Sequence, residues 1–249
     1  MKTRQPQPSD SPFLSANRRS LASFVSLLCL LLCSVACGEN EEEEAVSDAE
    51  YFGLVQGRCL GFRGGPSDLQ EVTVGVEGAH EIRGLDTLEL RYRINGVARR
   101  IEYLHAADGE LRVVRREDLG SLSTDVELEP PYLLSRRPLH TSLDGPLQTD
   151  SIAHSVDGTT SPMEWSVSVS IDARESSNVP GHEEAIPTYR HYADVLVTDG
   201  EDSYMLNDVF SMAPEIGFTM LSLHGDEFPE ARLVKVWDSE EGCIQIPRD

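Results

Sequence analysis

The sequence predicts an all-β domain over residues 51–249: an antiparallel meander forming a barrel, a half-barrel or a two-sheet sandwich, behind a signal peptide and an acidic tether. Three observations make that prediction. Past residue 50, apolar side chains alternate with polar ones, the period of a strand with one buried face. Turn pairs such as Asn95-Gly96 and Asp108-Gly109 fall between the alternating runs. No stretch beyond residue 50 sustains the 3.6-residue period of an amphipathic helix.

The chain opens with Lys2, Arg4, Arg18 and Arg19, and Leu21 to Ala36 is then free of charge. These 16 residues fall short of the roughly 20 that a membrane-spanning helix needs. A basic start, a short apolar run and small residues at its end describe a secretory signal peptide over residues 1–36. Ser34-Val35-Ala36-Cys37 resembles the bacterial lipobox, with Ser34 where leucine is usual. The resemblance implies cleavage before Cys37 and lipidation of its side chain; the alternative is an ordinary signal cut near Ala36. Arg18-Arg19-Ser20-Leu21 is also similar to the core of a twin-arginine export signal, but Asn17 and Ala22 fit it poorly, and plain positive charge accounts for it better.

Residues 37–50 read as a lipidated cysteine followed by a disordered acidic tether. Gly38 to Glu50 holds seven acids and no base, and like charges extend such a segment. A leader that serves solubility alone is the other reading. Gly38, rather than Asp, after Cys37 implies, by the same lipoprotein resemblance, the outer membrane rather than retention in the inner one.

Net charge bounds the partners. The formal charge is −22, and loss of residues 1–36 removes four basic groups and one acidic group, leaving about −25. Nucleic-acid binding calls for basic patches that release counterions, so nucleic acid is excluded as a partner. The expected partner is a membrane, through the N-terminal lipid.

The strands are expected in order along the chain. Residues 53–63 and 71–77 lead into "DTLELRYRIN", where Leu88, Leu90, Tyr92 and Ile94 alternate with Glu89, Arg91 and Arg93. Asn95-Gly96 is a strong hairpin signal because both residues tolerate positive φ. "VARRIEYL", Asp108-Gly109 and "ELRVVRR" complete a three-stranded meander. Residues 118–162, rich in Pro and Gly, read as an irregular crossover. "EWSVSVSID" then sets Trp165, Val167, Val169 and Ile171 against serines, and further strands are expected at 191–198, 203–212, 217–223, 232–238 and 243–247. Asp199-Gly200 and His224-Gly225 sit at turns. About ten strands in one chain suit a barrel, half-barrel or sandwich.

"LEPPYLLSRRPL" (128–139) and "IPTYRHYADVLVTDGEDSYMLNDVFSMAPEIGFTML" (186–221) resemble segments of uncharacterised Gram-negative envelope lipoproteins with an antiparallel β domain, themselves distantly similar to lipoprotein-carrier half-barrels. Leu139 lacks the glycine and tryptophan that usually come after it there, and Glu215 replaces a usual glycine. The resemblance implies a sheet and an envelope setting, not a reaction.

Chemical motifs are sparse. The sequence has no Gly-x-Ser-x-Gly elbow, no phosphate loop and no HExxH, and "DGEDSYMLND" has Tyr204 where a calcium loop needs glycine. In "GHEEAIPTYRH", His182, Glu183, Glu184 and His191 could hold zinc, but the spacing matches no standard pattern and solvated loop residues are the plainer reading. Trp165, Trp237, Tyr92, Tyr103, Phe210 and Phe218 could line a pocket or fill a core. No cofactor is expected. The reading is an anchored envelope lipoprotein that binds an apolar ligand or a protein partner without catalysis; the second reading is an envelope enzyme, metal-dependent through His182, Glu183 and His191.

The cysteines add one expectation. The signal segment takes Cys29 and Cys33, and lipidation takes Cys37, leaving Cys59 and Cys243 in an oxidising compartment where pairing is the default. Pairing of the first and last strands would bring the two together and help close the sheet; two separate buried thiols are the alternative.

Overall fold

A computed structural model describes residues 46–64, 70–120, 123–140, 145–223 and 228–248. Residues Val46–Asp249 form one compact body. It starts with a short helix, α1 (Asp48–Tyr51), and continues through twelve strands: β1 (Arg58–Gly64), β2 (Gln70–Ile82), β3 (Leu85–Ile94), β4 (Val97–Ala107), β5 (Glu110–Asp118), β6 (Thr124–Arg136), β7 (Leu147–Ser155), β8 (Met163–Ser177), β9 (Ile186–Asp199), β10 (Asp202–Ala213), β11 (Gly217–Leu223) and β12 (Phe228–Asp238). Each strand pairs antiparallel with its sequence neighbours, and β12 returns to β1, from Arg58↔Asp238 to Gly64↔Ala231. The sheet therefore closes as an up-and-down barrel, which leaves no unpaired edge.

The turns obey the expected chemistry. Asn95 (φ 49°) and Gly96 (φ 80°) close the two-residue β3–β4 hairpin, and Asp108 (φ 55°) and Gly109 (φ 73°) close β4–β5. Arg83 and Gly84 make a further such turn between β2 and β3 that the alternation did not mark. The expected turn at His224-Gly225 lies outside the described residues.

Three expectations are corrected. Residues 118–162 are not an irregular crossover, since β6 and β7 lie within them. Pro130 and Pro131 disguise β6, but they sit where its pairing with β5 is interrupted between Glu127 and Tyr132, so their missing N–H groups remove no bond from that ladder. Residues 243–247 are not a strand: the tail after β12 runs as a strap along the outer wall of the barrel. The domain also begins before residue 51. Ser47 caps α1, its hydroxyl accepting from the Glu50 N–H while the Glu50 carboxylate accepts from the Ser47 N–H, the reciprocal arrangement of a capping box.

Most inward positions are apolar: Leu60 and Phe62 on β1, Val72, Val74 and Val76 on β2, Leu111 and Val113 on β5, and Trp165, Val167 and Val169 on β8 belong to one core cluster. Outward positions of β2 and β3 carry a ladder of ion pairs, with Arg91 on Glu89 at 2.6 Å and on Glu77 at 3.3 Å, and Arg93 on Glu77. Apolar-in and charged-out is the reverse of a lipid-facing barrel wall. Among the described residues no helix is long and apolar enough to cross a membrane.

Cys59 and Cys243 form a disulfide, with Cα atoms 5.4 Å apart. β1 pairs with β12 and not with the last strand expected at 243–247; Cys243 lies beyond β12, so the bond fastens the strap rather than joining two strands. Thr73 donates its hydroxyl to the Cys243 carbonyl at 2.6 Å, and Lys235 donates to the Pro247 carbonyl at 3.2 Å. Glycines make the track: a Cβ on Gly75 would sit 2.5 Å from the Cys243 sulfur, and one on Gly61 would sit 2.8 Å from Ile246. Either residue with a side chain would push the strap away.

Candidate functional site

Alternation along β4, β5 and β10 turns five charged side chains into the barrel. On β4 these are Arg100 and Glu102, on β5 Arg116 and Asp118, and on β10 Asp208. Arg100 Nη1 donates to Asp208 Oδ2 at 2.9 Å and Nε to Asp118 Oδ1 at 3.2 Å. Arg116 Nε donates to Asp118 Oδ2 at 2.9 Å and Nη1 to Asp208 Oδ2 at 3.2 Å. Tyr92 donates its hydroxyl to Glu102 Oε2 at 2.8 Å.

β4 and β10 are six places apart around the ring of twelve, that is, diametrically opposite. Twelve strands about 4.8 Å apart would make a round barrel at least about 18 Å across, before tilt widens it. One Arg–Asp pair spans far less, so the walls approach each other here and the charges bridge them. Between Tyr92, Glu102, Tyr132, Asp208, Phe210 and Phe218 the remaining cavity is about 10 Å³, room for about one water.

The electrostatics come from burial. Burial pushes the Asp118 carboxyl up, but Arg116 and Arg100 outweigh it and hold it below the usual range. Burial raises Glu102, and the two guanidinium groups reverse only part of that. Burial and the neighbouring Glu102 raise the Tyr92 phenol well above its ordinary value. The arrangement is a closed set of charge-assisted bonds that joins two walls; the reactive atoms of a catalytic site would need an approach for substrate.

The expected metal cluster does not assemble. His182, Glu183 and Glu184 are exposed on the loop between β8 and β9, while His191 points into the core with 0% exposure. The His191 ring stacks on Phe210 with centroids 4.7 Å apart. Its Nδ1 meets the Tyr189 carbonyl at 3.0 Å and its Nε2 meets the Ser135 hydroxyl at 3.0 Å. A carbonyl only accepts, so Nδ1 carries the proton and Nε2 accepts from Ser135. Burial lowers the His191 pKa to about 4, against a smaller opposing effect of the Tyr189 carbonyl. Both ring nitrogens are thus engaged far from any metal role, and among the described residues no group of three or more His, Cys, Asp or Glu side chains could hold an ion.

The aromatic candidates divide. Trp165, Tyr92, Phe210 and Phe218 fill the barrel. Tyr103 lies on the outer wall, with the Arg115 guanidinium 4.9 Å from its ring centroid, and Trp237 lies beside Gly61 near the strap. Cys37 lies outside the described residues.

Among the described residues, the concavities on the outside include two of different lining. One, of about 780 Å³, lies beside the strap and is acidic, with Glu77, Asp238, Glu240 and Glu241 in its wall. The other, of about 460 Å³, lies where β1 and β9 begin and β10 and β12 end. Its wall is mainly Val179, Ile186, Ile216, Val236 and three prolines, with Arg58 and His182 among them. Arg58 Nη1 donates to the Glu215 carbonyl at 2.7 Å. The same end is stoppered by α1 and the turn after it: Phe52 and Leu54 enter the core, and the Tyr51 carbonyl accepts from the Glu215 N–H at 2.7 Å. Gly53 (φ 73°) lies against the backbone of Ile216 and Gly217 where no Cβ fits. The sequence hides this groove because its wall comes from four separate segments.

No family model matches the sequence, and no curated protein matches it. Two solved structures are similar to the chain. One is a candidate lipoprotein from Parabacteroides distasonis, 8% identical, with 75% of this chain and 98% of that one covered at a TM-score of 0.46. The other is a candidate exported protein with a YmcC-like fold from Bacteroides fragilis, 13% identical, with 76% and 99% covered at a TM-score of 0.43. At this level of likeness neither neighbour bears on what this chain binds.

Proposed function

We propose that the chain is an envelope lipoprotein, held to the outer membrane through a lipid on Cys37, whose barrel is a non-enzymatic binding module. The observation that carries the binding reading is the apolar groove of about 460 Å³ at the end where α1 enters, within the roughly 300–1,000 Å³ of small-ligand sites. It lies outside a barrel whose own interior is occupied by aromatic side chains and bridged by charges. The groove therefore supports binding on the outer surface rather than within the barrel, and the dispersal of His182, Glu183 and His191 removes the ligand set of the metal-enzyme reading.

Two measurements test the two parts. Metabolic labelling with an alkynyl fatty acid should mark the wild type and not Cys37→Ser; equal labelling overturns the anchor. Native mass spectrometry of protein purified from its envelope should show a bound apolar molecule or protein that Ile216→Glu displaces. Retention of the same molecule by Ile216→Glu, or a bare wild type, overturns binding at the groove.

A further inference from the structure

Proceeding from the binding-module reading, we infer that the groove takes a single-chain lipid with a carboxylate head, a fatty acid drawn from the membrane that anchors the chain. Its chemistry separates an acyl chain from a peptide. Pro180, Pro187 and Pro214 line it and have no N–H to offer. A peptide laid there would leave backbone groups unpaired, whereas an acyl chain has none to satisfy. Val179, Ile216 and Val236 supply the remaining apolar wall.

Charge supplies the head. In a chain of formal charge −22, this groove is lined by Arg58, His182 and a single acid, Glu215. Arg58 spends Nη1 on the Glu215 backbone carbonyl and makes no carboxylate ion pair among the described residues, although Glu50 is near enough to feel its charge. Its other N–H groups match a carboxylate, which a guanidinium binds through two parallel bonds.

The attachment of the chain brings the lipid within reach. Arg137 Nη1 donates to the Val46 carbonyl at 2.8 Å, so the first described residue is tied to this end of the barrel. Val46 is one short helix away from Tyr51, about 8 Å at 1.5 Å per residue, and Tyr51 touches the groove-lining turn at Glu215. The nine residues from Cys37 to Val46 span at most about 31 Å. The groove at this end is therefore within reach of the bilayer, and one at the far end would need a barrel length more of chain to be so.

The test uses the full anchored chain in isolated membranes, after synthesis has ended, so that Cys37 cannot incorporate the probe. Palmitic acid bearing an alkyl diazirine is added and irradiated, and the adducts are mapped by mass spectrometry. Labelling should fall on peptides containing residues 179–187 and 214–216. Arg58→Gln should lower it about ten-fold, the worth of one charge-assisted bond, while Arg58→Lys keeps part of it. Because Arg58 also holds the Glu215 carbonyl, His182→Glu is the second variant: exposed, it leaves the fold intact, and it should reduce labelling several-fold by charge alone. The matching diazirine alcohol should label as weakly as Arg58→Gln. Equal labelling by acid and alcohol overturns carboxylate recognition, and preferential labelling by a diazirine phosphatidylcholine overturns the fatty-acid class. A protein cross-linked in place of lipid overturns the inference but leaves the binding-module reading standing; wild-type labelling confined to other surfaces overturns the inference and withdraws the groove from that reading.

Discussion

Replacing Arg116 with methionine should cost the barrel a large share of its stability. The side chain is 1% exposed and contacts Asp118 and Asp208 on facing walls at 2.9 and 3.2 Å. Methionine keeps most of the stem volume but removes the guanidinium, leaving Arg100 to serve Asp118, Asp208 and Glu102 alone. Removing one partner from a buried ion pair costs about 3–5 kcal/mol, because the other charge stays buried and uncompensated. Against a total of about 5–15 kcal/mol, and at about 2–4 °C per kcal/mol for a domain of this size, Tm should fall by about 10 °C. Near-ultraviolet circular dichroism during heating, with urea unfolding at neutral pH, gives both numbers. Adding Asp208→Asn to Arg116→Met should recover at least about 1 kcal/mol relative to the sum of the single changes, as residues in one network do. A loss under about 1 kcal/mol for Arg116→Met, with additive behaviour in the double variant, would refute the account of the bridge.

The strap and the buried imidazole give further outcomes. The disulfide closes a loop with a sequence separation of 184, for which chain entropy gives an upper value of about 5 kcal/mol; denaturing alkylation without reductant should find Cys59 and Cys243 blocked, and reduction should lower Tm. Gly75→Ala should cost about 1–3 kcal/mol by overpacking against the Cys243 sulfur and Cβ, measured by urea unfolding, and most of that cost should vanish when Cys243 is already Gly. His191, depressed to about 4 when folded, has an ordinary unfolded value near 6.5. Its contribution is fully present above about pH 6.5 and is lost as pH falls towards 4, up to about 3 kcal/mol in all. Stability measured from pH 7 to 4 should flatten over that window in His191→Phe; an unchanged slope would mean that His191 takes up its proton equally in the folded and the unfolded chain.

Period-two alternation and turn chemistry are local properties, so the sequence by itself determined most strands, the Asn95-Gly96 hairpin and the all-β class. An expected oxidising compartment and elimination named Cys59 and Cys243 as candidates, because thiol chemistry needs no coordinates for that, and the structure joins them. Where local cues compete, the sequence misleads: Pro130 and Pro131 mark a break, yet β6 runs through them because its partner ladder is interrupted there. The tertiary structure alone decided the rest. Barrel, half-barrel and sandwich share one alternation, and only the long-range pairing of β1 with β12 separates them. Arg93 and Arg100 look alike in a run of alternating charges, yet Arg93 faces outward to Glu77 and Arg100 faces Asp208 across the barrel. The strap replaces an expected last strand because β1 already has both neighbours, β12 and β2, leaving no edge for residues 243–247 to join. The groove is decided the same way, from Arg58, the β8–β9 loop, the β10–β11 turn and Val236. Periodicity says which side of a strand is apolar; which distant strands and loops face one another depends on closure of the whole sheet, a sum over long-range contacts that no short window of sequence contains.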